Sequence, residues 1–329
     1  MFNKKFEIGN MSFDRNVYLS DVIESYKMSH IQTFVDKVKA KRDEIKDKLS
    51  EHYGSAKYLS FNSGSMAKHT ATNVKFDIDV VEPFKHSSFE TLEDMFNNVY
   101  NFLYKVYGKQ ATVRKQKVSV GIEFPKETED IAPIQIDIVP GRELNDGDYH
   151  NTHNLNLYFN ENHWGFNKGS RQKTNIYRQI EYIKGKANER KIIRLLKIWK
   201  KHYNKDYKSF MLELFCIKAL ENYTGGNEIW ERLKYTMEYI RDNVTNEAFY
   251  LTDPGNSSNN VLSVMDSFQR ASLKNEMINI LNNIEKNDSN FLSYYFPKNE
   301  KYVIKKNEGY GNIEHQGIVS YPRTPQRFG

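Results

Sequence analysis

The spacing of apolar residues changes once along this chain of 329 residues, near residue 167, and this change limits the possible fold class. Before it, short segments rich in β-branched and aromatic residues predict strands at 58–62, 75–81, 112–124 and 134–139. After it, strand signals nearly vanish, and apolar residues recur at steps of three and four, which predicts amphipathic helices. The sequence therefore predicts an α+β protein with a mixed sheet in its first half and a helical second half.

Helices are also expected within the first half. The apolar spacing predicts one long amphipathic helix over 20–51 and another helical stretch over 89–106. In the second half it predicts helices over 192–203, 210–220, 229–240 and 265–284. We therefore expect three parts: a core at 1–165 that begins with the long helix, a helical lobe at 166–297, and a polar tail at 298–329.

Composition excludes several classes of protein. The single cysteine, Cys216, lies in an apolar run, so a disulfide framework and a cysteine-based zinc site are excluded. No signal-peptide core follows Lys4 and Lys5, and no stretch approaches the ~18 apolar residues of a membrane span, so we expect a cytoplasmic protein without membrane contact. A net charge of +6 is too diffuse to indicate binding of long nucleic acid.

Two acids alternate with apolar residues at 75–81. On a strand, Asp77 and Asp79 would share one face, while Phe76, Ile78 and Val80 would share the other. Two neighbouring carboxylates repel each other unless a cation lies between them, and oxygen ligands suit Mg²⁺, with Mn²⁺ as an alternative. The competing interpretation is the solvated face of an edge strand.

Two further motifs favour the metal site. Asp137 lies among apolar residues in the segment 134–139, where a lone acid would be costly to desolvate without a partner. Upstream, Gly64 and Ser65 follow a predicted strand at a turn, where backbone N–H groups and a hydroxyl can bind phosphate. A Gly-Ser turn alone is ordinary, but the combination at this spacing is far more specific.

Several segments resemble one family. FNSGSMAKHTATNVKFDIDVV (61–81) resembles the signature of polymerase β-like nucleotidyltransferases, which is Gly-Ser, eleven residues and Asp-x-Asp, and Asp137 matches the third carboxylate. Within that superfamily the chain resembles the bacterial CD-NTases, relatives of cyclic GMP-AMP synthase and oligoadenylate synthase. Further matching segments are VRKQKVSVGIEF, IQIDIVPGR, ERKIIRLLKIWKKH, YKSFMLELF and LTDPGNSSNNV. His69 and the proline-free 255–258 depart from the family pattern, and neither is a carboxylate.

The resemblance implies roles for particular residues. It implies a nucleotidyltransferase core and a helical lobe with the active site in the cleft between them. Asp77 and Asp79 would bind two Mg²⁺ ions, and Asp137 would complete the second metal site. Gly64 and Ser65 would hold the β- and γ-phosphates of a nucleoside triphosphate.

Three residues of the predicted lobe match nucleotide-contacting positions of the family. Lys197 would contact phosphates, or it is one more solvated cation. Ser209 would cap its helix, contact phosphate, or do both. Phe210 would stack on a base or pack in the core. Asp253 and Pro254 resemble a loop-shaping pair. His150 and His153, i and i+3 in a polar loop, could hold a metal but more often such histidines face solvent.

The resemblance also implies a function. The implied protein is a metal-dependent enzyme that joins NTPs into a cyclic di- or trinucleotide second messenger and releases pyrophosphate, in anti-phage defence. The alternatives are a nucleotidyltransferase that does not cyclise and an inactive binding module. The tail ends at Gly329 and resembles CD-NTases that a ubiquitin-transfer-like partner ligates; the alternative is an inert tail. A nucleic-acid activator is compatible with the sequence but is not required.

Overall fold

The computed structural model describes residues 13–74, 77–160 and 169–303. Lys75, Phe76 and the predicted conjugation site Gly329 lie outside the described residues. The chain divides into two compact units. The helical unit comprises 13–27, 185–252 and 260–300 of the described residues, and the sheet unit comprises the rest of them.

The sheet unit contains a mixed seven-stranded sheet. Its strands are β1 (Phe61–Ser63), β2 (Ile78–Phe84), β3 (Thr112–Lys115), β4 (Val120–Phe124), β5 (Ile134–Glu143), β6 (Leu155–Tyr158) and β7 (Arg171–Thr174). The strand order is β1-β2-β5-β4-β3, and β6 pairs with both β5 and β7. β5 is parallel to β2 and antiparallel to β4 and β6, which confirms the predicted mixed sheet.

Two helices, α2 (Gln32–Tyr53) and α4 (Leu92–Tyr107), contribute to the core of the sheet unit. α4 begins with a capping box, in which Thr91 Oγ1 accepts from the Asp94 amide at 3.0 Å and Asp94 Oδ2 accepts from the Thr91 amide at 3.1 Å. Ile136 and Ile138 of β5 are buried in this core. Because side chains alternate along a strand, Asp137 lies on the opposite face of the sheet.

The predicted long helix over 20–51 is wrong. The chain instead forms α1 (Arg15–Ser25), a 3-10 helix (Met28–Ile31) and then α2. The break has a physical reason, because the two helices bury their apolar faces in different cores. Leu19 and Val22 of α1 are fully buried within the helical unit, whereas α2 packs on the sheet. The predicted boundaries of the core at 1–165 therefore differ from the units observed.

The helical unit confirms the predicted helical second half. With α1 it contains α7 (Ala187–His202), α8 (Ser209–Glu221), α9 (Ile229–Asn243), α10 (Ser267–Lys286) and α11 (Asp288–Tyr295). α8 is buried on nearly all sides, and it includes Cys216, which is 0% exposed. α1 is tied to this unit by Asn16 Oδ1, which accepts from the Trp230 amide at 2.9 Å. Within the described part of the chain, no helix is long and apolar enough to cross a membrane.

Several short elements escaped prediction. They are α3 (Gly64–Ala67), α5 (Tyr149–Thr152), α6 (Ile176–Glu181), β6, β7, α11 and the hairpin of β8 (Thr252–Asp253) and β9 (Asn256–Asn260). β7 reads RQKT and β9 reads NSSNN, and both are mostly polar. Asn and Ser have low strand propensity, so these strands depend on pairing with a neighbour and leave almost no local signal.

Candidate active site on the sheet

Two of the predicted carboxylates lie side by side on the sheet. The parallel pairing of β2 and β5 makes Asp79 and Asp137 Cα partners. Their neighbours Val80 and Ile138 are fully buried, so both acids project from the face opposite the core. Paired strands are about 4.8 Å apart, so two half-buried carboxylates lie in close proximity. The antiparallel alignment of β1 also brings Ser63 opposite Asp79.

Gly64 supports Asp79 directly. It follows β1, has φ +65°, and a Cβ built there would overlap Oδ2 of Asp79. The left-handed φ and the close approach each favour glycine, and together they explain why a glycine precedes Ser65. The structure thus brings the Gly-Ser turn and Asp79 into contact. Ser65 is half-buried, and its carbonyl accepts from the Thr70 amide at 2.9 Å.

A glutamine side chain contacts Asp137. Gln116 Nε2 donates to Asp137 Oδ1 at 3.1 Å, and Ser119 Oγ donates to Gln116 Oε1 at 2.8 Å. Gly121 lies opposite Asp137 in the β4–β5 pairing. These three residues were not predicted as part of the site. The one available signal was a glycine inside a strand pattern, which often marks a close approach.

Asp77 immediately precedes β2 and does not lie within a strand. β2 begins at Ile78, one residue after Asp77, although the strand predicted over 75–81 includes Asp77; Asp77 is half-buried. Within the described ranges, no three His, Cys, Asp or Glu side chains are arranged to hold a metal ion. The structure therefore aligns Asp79 with Asp137 but does not gather all three acids. The donors are all carboxylate oxygens, and this chemistry fits Mg²⁺ or Mn²⁺.

A buried ion pair lies further along β2. Glu82 is 0% exposed, and its Oε1 is 2.7 Å from Lys57 Nζ. Ser60 Oγ donates to Glu82 Oε2 at 2.6 Å, and Lys57 Nζ also donates to Ser60 Oγ at 3.0 Å. Burial raises the pKa of Glu82, although Lys57 and Ser60 oppose that shift. This pair joins the segment that precedes β1 to the strand that carries Asp79.

Glu143, at the far end of β5, has the opposite environment. Burial alone would raise the pKa of Glu143, but hydrogen bonds hold that pKa below its usual value. The donors include the His86 amide at 2.8 Å, the Tyr58 hydroxyl at 2.9 Å and the Tyr149 amide at 3.2 Å. The carboxylate therefore fastens three separate segments to the end of β5.

In the helical unit, the predicted nucleotide-contacting residues lie on α7 and α8. Lys197 is half-buried between the buried Leu196 and Ile198. Lys200 Nζ is 3.3 Å from Ser209 Oγ. The N-cap role predicted for Ser209 is wrong, because Lys208 occupies the extended capping position and Ser209 is the first helical residue. Phe210 is half-buried, which leaves both of its interpretations open.

The loop-shaping prediction for Asp253 is confirmed. Its side chain is buried, and Oδ1 accepts from the Gly255 amide at 2.8 Å and from Gln179 Nε2 at 2.9 Å. Oδ2 accepts from Asn259 Nδ2 at 3.2 Å. A buried carboxylate with three donors from the surrounding segments orders a turn and has no need of a catalytic role.

The two loop histidines contact aromatic rings. His150 lies edge-on to Tyr58, with ring centroids 4.9 Å apart, and His153 stacks on Tyr177 at 4.5 Å. Neither belongs to a metal-holding group in the part of the chain that the structure describes.

The structure has a polymerase β-like fold. Two solved structures share the fold. One is CdnC from Escherichia coli MS115-1 with ATP, at TM-score 0.65 and 20% identity, covering 85% of this chain and 95% of that chain. The other is the CdnE cyclic dinucleotide synthase from Elizabethkingia meningoseptica with GTP and Apcpp, at TM-score 0.57 and 14% identity, covering 83% and 99%.

The sequence also resembles known proteins over part of the chain. Residues 13–154 match the Second Messenger Oligonucleotide or Dinucleotide Synthetase domain. The CBASS oligonucleotide cyclase CdnC of Escherichia coli (strain KTE188) is 26% identical over 212 residues, which are 60% of this chain and 61% of that relative. The aligned region thus spans less than two thirds of that relative. The chain is therefore similar in sequence to this synthetase domain over residues 13–154 and to CdnC over the aligned region.

Proposed function

We propose that this chain is a metal-dependent nucleotidyltransferase that joins NTPs into a cyclic di- or trinucleotide and releases pyrophosphate, as part of anti-phage defence. The observation that carries the proposal is the alignment of Asp79 with Asp137, with Gly64 packed against Asp79. The matched synthetase domain spans all three of these residues. The ATP and GTP complexes of proteins with the same fold support nucleoside triphosphates as substrates.

Asp77, Asp79 and Asp137 would hold the metal, as two Mg²⁺ ions or Mn²⁺ in their place. When bound, divalent ions lower the pKa of an attacking hydroxyl and neutralise charge on the triphosphate. The chain's own contribution is mainly positioning, since phosphoryl-type transfer requires little covalent chemistry from the protein. The rigid β2–β5 pair fixes Asp79 and Asp137 relative to one another.

Roles at the nucleotide follow for the other matched residues. Gly64 and Ser65 would contact the β- and γ-phosphates beside Asp79. On the resemblance of α7 and α8 to the family's helical motifs, Lys197 would contact phosphate, Ser209 would hydrogen-bond to it, and Phe210 would stack on a base. The Lys200 ammonium lies near Ser209 and adds positive charge at the start of α8. A ligase-like partner at Gly329 stays a prediction.

The test is a product assay on the full chain with ATP, GTP, UTP, CTP and Mg²⁺. We expect the wild type to release pyrophosphate and to form a product that resists phosphatase and has the mass of a cyclic oligonucleotide. Asp77→Asn, Asp79→Asn and Asp137→Asn should each lower turnover by more than about 10²-fold, because each removes an anionic ligand of the divalent ions that would neutralise charge on the triphosphate. Asp146→Asn, in an exposed loop, is the matched control and should be fully active.

Other outcomes would replace the proposal. A phosphatase-sensitive ladder or a labelled macromolecule would show a nucleotidyltransferase that does not cyclise. If the chain binds NTPs but turns over none of the four, it is an inactive binding module. Full turnover by the Asp79→Asn variant would refute the assigned site, whatever the product.

A further inference from the structure

Gln116 bridges the hairpin loop between β3 and β4 to the carboxylate of Asp137. Its Nε2 donates to Oδ1 at 3.1 Å, and this is a hydrogen bond to an ionisable acceptor. Such bonds are stronger than neutral ones because the acceptor carries a full charge. A donor on one oxygen also reduces repulsion between Asp137 and its register partner Asp79. Gln116 is thus placed to influence the orientation of the Asp137 carboxylate.

The orientation of the Gln116 amide is set by a second contact. Ser119 Oγ donates to Oε1 at 2.8 Å, so the amide oxygen faces Ser119 and the amide nitrogen faces Asp137. The same two residues close the loop, since the Gln116 amide donates to the Ser119 carbonyl at 2.8 Å. The loop is anchored further where the Asn160 amide donates to the Lys117 carbonyl at 2.8 Å. A short closed loop with these contacts holds the glutamine in one orientation.

Gly121 provides the space for this arrangement. It is the Cα partner of Asp137 on β4, where the next residue along the strand, Ile122, is fully buried in the core. A Cβ at Gly121 would overlap Gln116 Nε2 and would lie 3.1 Å from Asp137 Oδ1. The glycine therefore lets the glutamine amide lie across the strand to reach the carboxylate. The loop, the serine and the glycine all favour the same hydrogen bond.

We infer that Gln116 is a positioning residue that holds the Asp137 carboxylate in the orientation needed to ligate a divalent cation. Ser119 orients the Gln116 amide, and Gly121 leaves the space that this amide occupies. The inference rests on the proposed function, because it takes Asp137 as a metal ligand. Outer-shell hydrogen bonds to metal ligands commonly contribute about 10–100-fold to metal affinity. A glutamine suits this task, since it supplies a donor without adding charge beside the acids.

The test measures Mn²⁺ affinity directly, by the loss of the free-ion EPR signal, on the full chain without nucleotide, because a triphosphate analogue would itself bind Mn²⁺. Gln116→Met keeps the side-chain length and removes the donor, and we expect Mn²⁺ to bind about 10-fold more weakly. The matched control is Gln135→Met. It removes a similar bond on the same strand pair, Gln135 Nε2 to Glu123 Oε2 at 2.8 Å, in which Asp137 takes no part, and should leave Mn²⁺ affinity unchanged.

Two further variants separate positioning from folding. Ser119→Ala keeps the glutamine but frees its amide to rotate, so it should weaken Mn²⁺ binding less than Gln116→Met does. In an Asp137→Asn background, Gln116→Met should have no additional effect, because the group it positions is gone.

Each result decides a distinct question. If Gln116→Met binds Mn²⁺ like the wild type while Asp137→Asn binds it weakly, the inference about Gln116 is overturned and the proposed site stands. If Gln116→Met and Gln135→Met both lower only the melting temperature, the role of Gln116 is structural and the inference also fails. If Asp79→Asn and Asp137→Asn leave Mn²⁺ affinity intact, the proposed function itself loses its metal site.

Discussion

Gly64→Ala would test whether the Gly-Ser turn acts through Asp79. The substitution adds one methyl group at a position with φ +65°, where that methyl group would overlap Asp79 Oδ2. Two effects follow. The left-handed backbone costs about 1–3 kcal/mol for a residue other than glycine. The overlap then forces the Asp79 carboxylate to move, because the contact is with a short side chain on a rigid strand.

The second effect is the functional one. A shift of about 1 Å in a group that aligns reactants can cost about 10²-fold in rate. We therefore expect Gly64→Ala to lower the rate of pyrophosphate release by about that factor at saturating nucleotide and Mg²⁺. Unfolding in urea would measure the stability cost of the same variant separately.

Gly147→Ala isolates the backbone cost. Gly147 has φ +72° in the same unit, and a Cβ there would meet nothing within 4 Å. It should lose a similar amount of unfolding free energy and keep its activity. If the two variants lose the same stability and both retain full turnover, the packing of Gly64 against Asp79 has no catalytic consequence and our reasoning about the site is wrong.

Three other predictions concern buried contacts of the sheet unit. Lys57→Met leaves Glu82 buried without its cation and should cost about 3–5 kcal/mol of unfolding free energy. The double variant Lys57→Met with Glu82→Gln should recover part of that loss in urea unfolding. An equal loss in the single and the double variant would contradict the role of the buried pair. Burial raises the pKa of Glu82, so its contribution to stability falls as the pH rises above the pKa of this group in the unfolded chain. Lys57→Met should therefore lose more unfolding free energy at pH 8 than at pH 5. The pKa of Glu143 is lowered, so the contribution of this carboxylate to stability is present at neutral pH and is lost as the pH falls through its pKa in the folded protein. Tyr58→Phe removes one of its donors and should lower the unfolding free energy by about 1.5–3 kcal/mol at pH 7 and by less at pH 3. An equal loss at both pH values would refute the role of this hydrogen bond. Gly121→Ala should weaken Mn²⁺ binding as Gln116→Met does, and wild-type affinity would show that the amide needs no such space.

The sequence predicted the acids of the site better than their arrangement. The strand predicted over 134–139, which contains Asp137, lies within β5. The alignment of Asp79 with Asp137 could not be predicted locally, because α4, β3 and β4 lie between the two strands in the sequence. The start of β2 at Ile78 also depends on its pairing partners, so the position of Asp77 outside the strand was not visible in the alternation.

The broken N-terminal helix shows a different limit. The apolar spacing over 20–51 fits one helix, yet its two ends belong to two cores. Periodicity reports that a face is apolar and does not report which partner covers it. Gln116 was missed for a related reason, since its role depends on a contact across the sheet with Asp137, 21 residues away.

The docking of α1 has a consequence for synthesis and for fragments of this chain. Arg15 pairs with Asp288 at 3.1 Å, and the Tyr18 hydroxyl donates to the Phe296 carbonyl at 3.1 Å, so α1 contacts both ends of α11. During translation, α1 is made well before these partners, which lie 273 and 278 residues further along the chain. A fragment cut at residue 165 would separate α1 from its helical partners, and supplying 13–27 in trans is the natural way to restore them.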